Sequence, residues 1–161
     1  MASFRNAALL AFLLPAALLG GALIGQYGFG LYPCEMCMWQ RWPHLAAIIL
    51  AVLALILRDR SAALFLVIAA AIAILVSGLI GGYHAGVEYG WWEGLTSCAT
   101  NVPTGGDMLD SIMNAPLTRC DVAPWTLFDI SLAGFNFLLS ASGAVLILVM
   151  LAKRRKDAGH V

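Results

Sequence analysis

Charge is what this chain has least of. Of its 161 residues only 11% are Asp, Glu, Lys or Arg, while 61% are hydrophobic, far from the balance of a soluble domain. Nine basic and nine acidic residues cancel to a formal net charge of zero, and no basic patch gathers to meet a nucleic acid. Internal repeats are lacking, and so are low-complexity tracts beyond the apolar runs themselves. Cysteine is sparse as well: there are four, and all of them fall outside those runs.

The sequence is rich in long apolar segments. Four are long enough to span a bilayer, at about Ala7–Gly25, Met38–Leu57, Ala62–Gly82 and Leu127–Leu151, since a helix of about 20 apolar residues crosses roughly 30 Å of hydrocarbon. Isolated strands are excluded, because lipid offers their backbone groups no partners. The chain reads as an all-α integral membrane protein, a four-helix transmembrane bundle forming one domain over residues 1–161. A basic start followed by an apolar run is also the pattern of a cleaved signal peptide. The first run exceeds the usual core of about 7–15 residues, so it is expected to be retained.

Charge placement orients the bundle. Arg5, Arg58, Arg60, Lys153, Arg154, Arg155 and Lys156 put seven of the nine basic residues on one side, against Arg41 and Arg119 on the other. Basic flanks stay in the cytoplasm, so both termini are expected there and the intervening loops outside. One outward loop is short, about Gln26 to Cys37, and the other is long, about Tyr83 to Thr126. In the long loop Tyr83, Tyr89, Trp91 and Trp92 suggest an aromatic belt at the membrane surface. Asp107–Asn114 alternates in a helical manner, with Met108, Leu109, Ile112 and Met113 on one face. That pattern suits either a helix lying in the interface or an amphipathic turn packed on the protein.

All four cysteines, Cys34, Cys37, Cys98 and Cys120, fall in these outward loops, where disulfides persist. Cys98 and Cys120 taken alone read as a structural staple. Cys34 and Cys37 do not. A disulfide closing so small a ring restrains little unfolded-chain entropy, and the C-x-x-C spacing suits a pair that switches between dithiol and disulfide. A second helix starting near Met38 would put Cys37 at its N-terminus, where free N–H groups favour a thiolate, with Pro43 in the first turn. Arg41 follows four residues after Cys37, on the same helix face. A cation so near hydrocarbon signals function by default, against a plain alternative of snorkelling to the headgroups. His84 and Glu88, one helical turn apart, suit a structural hydrogen bond at the interface or a proton relay. His44 shares that ambiguity, and His160 is expected to be solvated.

Three blocks of sequence are similar to the DsbB family, the disulfide bond formation proteins of bacterial inner membranes. One is Pro33-Cys34-x-x-Cys37-x-x-Gln40-Arg41-Trp42-Pro43, and the next is Tyr83-His84-x-Gly86-x-Glu88. The third is Arg119-Cys120-Asp121, leading through Pro124-Trp125 into Ala133-Gly134-Phe135-Asn136. Order and spacing agree over essentially the whole chain. Asp129 departs from the pattern, standing where glycine or another small residue is expected, in the role of a cap on the fourth helix.

The resemblance implies a thiol oxidase that draws on membrane quinone, ubiquinone or menaquinone, with no metal. It implies a Cys98–Cys120 disulfide that oxidises a periplasmic thioredoxin-fold partner of the DsbA type, with Cys98 taking the attack. Cys120 would then pass to Cys34, releasing Cys37 to donate to the quinone. Arg41 would polarise the quinone oxygen, with His84 and Glu88 nearby as further cofactor-binding positions. That DsbA–DsbB–quinone relay is a known system. Rival readings are a haem carrier ligated by His44 and His84, a stapled structural tetraspan protein, a zinc site of four cysteines, and a vitamin K epoxide reductase-like protein. The first ignores the cysteines, the zinc site lacks a second close pair, and the last requires the opposite order of cysteine pairs.

Overall fold

A computed structural model describes residues 2–58, 61–95, 99–100 and 117–158. Four helices make the frame: α1 (Ala2–Phe29), α2 (Glu35–Ile56), α3 (Ala62–Glu88) and α4 (Leu132–Ala158). Each contains a stretch long and apolar enough to cross a membrane. Even α2, the shortest at 22 residues, reaches about 33 Å at 1.5 Å per residue. The protein is a four-helix membrane bundle in which α3 lies between α2 and α4, and α1 closes the ring against the same two helices.

Alanine makes this packing close. Ala7 and Ala11 of α1, Ala47, Ala51 and Ala54 of α2, Ala63, Ala70 and Ala71 of α3 and Ala144 of α4 are all fully or almost fully buried. Where lipid tails are as apolar as leucine, small residues hold helices together by letting backbones approach. Larger apolar side chains such as Leu13, Ile24, Ile49, Phe65, Leu79 and Val145 are turned outward and exposed. At Gly81 two helix backbones come close, for an added Cβ would stand 2.9 Å from the Ala133 carbonyl and 3.0 Å from Asn136 Nδ2. A second, smaller buried cluster sits at the far end of the bundle from this alanine core's Phe4 and Leu151. It joins Cys34, Met36, Val87 and Cys120, with Cys37 and Tyr83 packed against it.

Several helix ends differ from those the apolar runs suggest. Helix α2 begins at Glu35 rather than near Met38, because Cys34 caps it with extended backbone and its sulfur accepts from the Cys37 N–H at 3.3 Å. Cys37 therefore lies within the first turn, and Pro43 falls inside the helix, two turns in, where it removes a hydrogen bond to the Trp39 carbonyl. Helix α3 runs on to Glu88, so Tyr83–Glu88 belongs to the bundle and not to the loop.

Helix α4 starts at Leu132 rather than near Leu127. The residues before it form a hairpin, β3 (Thr126–Leu127) against β4 (Ile130–Ser131), with Phe128 and Asp129 as its turn. Their φ values are +50° and +60°, the left-handed region that a tight hairpin turn demands and glycine favours. Asp129 is thus a turn residue and not a helix cap, and its position explains why glycine is expected there. Aspartate tolerates that conformation better than most residues. A second small pairing sets β1 (Ala99–Thr100) antiparallel to β2 (Leu117–Thr118), with Ala99 opposite Thr118.

Candidate functional site

Three sequence-expected cysteines meet at one end of the bundle. The cap of α2 brings Cys34 Sγ to 2.8 Å from Cys37 Sγ. From the segment after β2, Cys120 Sγ comes in beside them. It, Cys34 Sγ and a ring nitrogen of His84 all lie within 4.8 Å of one another. Cys34 and Cys120 are buried, at 4% and 5% exposure, while Cys37 is half-buried. Cys98 lies outside the described residues, as do the Asp107–Asn114 stretch and His160. Ala99, next in sequence to Cys98, pairs with Thr118, two residues before Cys120.

A cleft of 290 Å³ opens onto the group, lined among others by Cys34, Cys37, His84, Arg119, Val122 and Pro124. Its size approaches the small end of the usual range for small-molecule sites. Arg119 does not project freely into it. The guanidinium forks onto Asp121, Nε to Oδ1 at 2.9 Å and Nη2 to Oδ2 at 2.5 Å, and holds that carboxyl below its usual range. The fork spans Cys120, joining the residues on either side of it.

The two sulfurs of the C-x-x-C pair are not equivalent. The neighbouring Cys37 sulfur, and after it burial, push the Cys34 thiol up to about 12, although His84 acts in the opposite sense. Cys34 therefore keeps its proton in the dithiol state at neutral pH. Cys37 lies in the first turn of α2, and its own N–H points at the Cys34 sulfur.

His84 and Glu88 sit deeper than an interfacial pair, with side chains only 2% exposed and His84 Nε2 3.7 Å from Glu88 Oε1. His84 Nε2 also lies 3.5 Å from Cys34 Sγ, and its other nitrogen faces Gln40 Nε2 at 3.0 Å. His44 joins the same chain of contacts from below, donating from Nε2 to Asn136 Oδ1 at 2.9 Å. Both imidazoles are thus engaged in one hydrogen-bonded interior, which disfavours the haem reading. Sequence reasoning passed over Gln40, Ser77, Asn136 and Ser140 as members of this interior. The available signal was a polar side chain within an apolar span, which is costly in lipid unless it is paired.

Arg41 turns away from the cysteines toward α1. Its Nη1 donates to Gln26 Oε1 at 2.5 Å and to Met38 Sδ at 3.8 Å, and Nη2 donates to the Ala22 carbonyl at 3.3 Å. The cation therefore ties α2 to the last turns of α1 rather than reaching Cys37. The aromatic residues expected to form a belt also pack on one another. Tyr83 stacks on Trp92 with centroids 5.6 Å apart, and Trp91 meets both Tyr89 and Trp92. Tyr89 Oη donates to the Asp129 carbonyl at 2.8 Å and accepts from the Ser131 N–H at 3.0 Å, fastening the hairpin to the end of α3.

Comparison with known proteins gives a consistent picture. The family described as Disulfide bond formation protein DsbB matches residues 4–150. A disulfide bond formation protein B of Verminephrobacter eiseniae is 31% identical, over 88% of this chain and 82% of its own length. One of Chromohalobacter salexigens is 33% identical, over 89% and 77% respectively. An uncharacterised protein of Rickettsia prowazekii is 29% identical, over 76% and 73%. No solved structure matches the chain.

Proposed function

The chain belongs to the DsbB family of disulfide bond formation proteins, and we propose that it is the family's quinone-linked thiol oxidase, working through two cysteine pairs. As a multi-pass membrane disulfide oxidoreductase it needs a soluble dithiol to oxidise and an acceptor for the electrons. The observation that carries the reading is the meeting of Cys34, Cys37 and Cys120 sulfurs at one end of the bundle.

In this reading the partner is a periplasmic thioredoxin-fold protein of the DsbA type. Its two thiols reduce a Cys98–Cys120 disulfide, with Cys98 taking the first attack. The Cys120 thiolate then attacks Cys34 of a Cys34–Cys37 disulfide. A Cys34–Cys120 bond forms, and Cys37 leaves with the electron pair. Exchange favours departure of the less basic sulfur, and the high thiol value of Cys34 makes Cys37 that sulfur. Once the partner's second thiol has freed it, the Cys98 thiolate attacks Cys120 of that bond, which re-forms Cys98–Cys120. This leaves Cys34 and Cys37 as the dithiol whose two electrons would go to the quinone as the Cys34–Cys37 disulfide is restored.

Quinone from the membrane pool, when bound, accepts the two electrons and two protons. The cleft beside Cys37 and His84 has room for part of a ring, which supports access at that sulfur. Cys37 would face the acceptor, and His84 with Glu88 would line its side. Arg41, held on α1, would supply positive charge at the α1–α2 seam. The proposed setting is a bacterial inner membrane, with both termini cytoplasmic and the cysteines periplasmic.

The test is anaerobic. Purified protein in detergent is mixed with a reduced thioredoxin-fold dithiol and a soluble quinone, beside Cys34→Ser, Cys37→Ser, Cys98→Ser and Cys120→Ser samples. Quinone loss matched to partner oxidation, and absent in each variant, is the expected result. Arg41→His should slow quinone reduction while sparing exchange between partner and loop. Turnover that persists without one of the cysteines would remove it from the path.

A further inference from the structure

A polar chain crosses the bundle beneath the sulfurs, and the relay does not use it. Gln40 stands at its centre. Its Nε2 donates to the Met36 carbonyl at 3.1 Å and faces His84 Nδ1 at 3.0 Å, while its Oε1 accepts from Asn136 Nδ2 at 2.8 Å. Turning the amide over would set oxygen against the Met36 carbonyl and NH2 against NH2 at Asn136, so these partners fix its orientation. Asn136 is fixed in turn. Its oxygen receives His44 Nε2–H at 2.9 Å and the Ser140 hydroxyl at 2.8 Å, and its NH2 donates to the Ser77 carbonyl at 3.1 Å.

This arrangement decides where a neutral His84 carries its proton. The Gln40 NH2 can only donate, so Nδ1 accepts and the proton belongs on Nε2. That is the nitrogen facing Cys34 Sγ at 3.5 Å and Glu88 Oε1 at 3.7 Å.

The same placement bears on metal. Two thiols and an imidazole within 4.8 Å of one another are donors that zinc takes readily. The 3.5 Å between Cys34 Sγ and His84 Nε2 matches the edge of about 3.5 Å that tetrahedral bonds of about 2.3 and 2.0 Å would give. A ligating histidine, however, must turn a lone pair to the metal and give its other N–H to an acceptor. Here the donor and acceptor sides are reversed.

We propose that Gln40 and Asn136 are positioning residues that hold the His84 proton on Nε2, so that the imidazole donates to the Cys34 sulfur and the reduced thiols are kept from closing around a soft metal ion. The proposal rests on Cys34 being the exchanging sulfur. Its tests read His84 and Cys34 directly and use neither quinone nor partner, so a failure here is distinct from a failure of the transfer assay.

The first measurement is nitrogen NMR of histidine-labelled, reduced, full-length protein in detergent, with His84 assigned by comparison with His84→Asn. A neutral ring protonated at Nε2 is expected, and protonation at Nδ1 would overturn the proposal. The second measurement uses Gln40→Glu, whose carboxylate accepts from Nδ1–H and so reverses the ring. Cobalt affinity, read from the thiolate-to-cobalt absorption band, should rise at least about tenfold over the natural protein. Alkylation of Cys34, followed by peptide mass spectrometry, should fall about tenfold as the donor to its thiolate is lost. Gln40→Met, which removes the donor without adding charge, should show the loss of alkylation alone. Equal cobalt affinity and equal alkylation in folded variants would return Gln40 and Asn136 to a purely structural role.

Discussion

The chemistry of the site turns on the difference between two sulfurs 2.8 Å apart. With Cys34 raised to about 12, its reactive thiolate is scarce at neutral pH. The sign is that of an acid whose neutral form is favoured, so reactivity grows as pH rises toward the raised value. In the reduced protein near pH 8, Cys34 should alkylate about a thousandfold more slowly than an ordinary thiol. Peptide mass spectrometry across a pH series checks this, and a half-point near the ordinary thiol range would contradict it. Asp129 offers a separate test at a single residue. At φ +60°, Asp129→Gly should stabilise the hairpin by up to about 1 kcal/mol, and Asp129→Val should destabilise it by about 1–2 kcal/mol. Thermal unfolding in detergent reads both.

Among the elements, the seam between α3 and α4 holds the polar chain together. Gly81→Ala would drive a methyl group to within 2.9 Å of the Ala133 carbonyl and 3.1 Å of Gln40 Oε1. A loss of about 1–3 kcal/mol is expected from such overpacking, measurable by unfolding in mixed detergent, and unchanged stability would mean that the helices part easily. The four helices were legible in the sequence because apolar length alone demands them. Their ends were not. Tyr83–Glu88 looks like loop because it carries histidine and glutamate, yet it stays helical where neighbouring helices bury those side chains. Leu127 and Phe128 look like the start of a span, yet they fold into a hairpin whose turn bears no glycine to announce it. Cys34 as the cap of α2 was hidden for a related reason, since cysteine is not among the usual capping residues.

At the level of the whole molecule, the cysteine pair and the family resemblance pointed to the chemistry from sequence. The surroundings of the pair came only with the packing. Gln40, Ser77 and Asn136 lie on three different helices, and nothing in their local sequence says that they touch. Arg41 shows the limit of face arithmetic, for sharing a helix face with Cys37 did not prevent α1 from claiming its guanidinium. Global order also depends on Tyr89, whose hydroxyl fastens the hairpin before α4 to the end of α3. Tyr89→Phe should leave the helices intact by circular dichroism while slowing formation of a Cys34–Cys120 disulfide severalfold under mild oxidation. An unchanged rate would mean that the fastening does not govern the encounter.

The fastening also changes what kind of event that encounter is. Only five residues separate Cys120 from the start of β3 at Thr126, and β3 is moored through its hairpin to α3. The sulfur therefore moves on a short leash anchored near its target. Its local concentration at Cys34 is fixed by tether length, and dilution of the protein leaves it unchanged. On such a leash, the closing of a Cys34–Cys120 bond is a first-order event whose pace is written into the mooring.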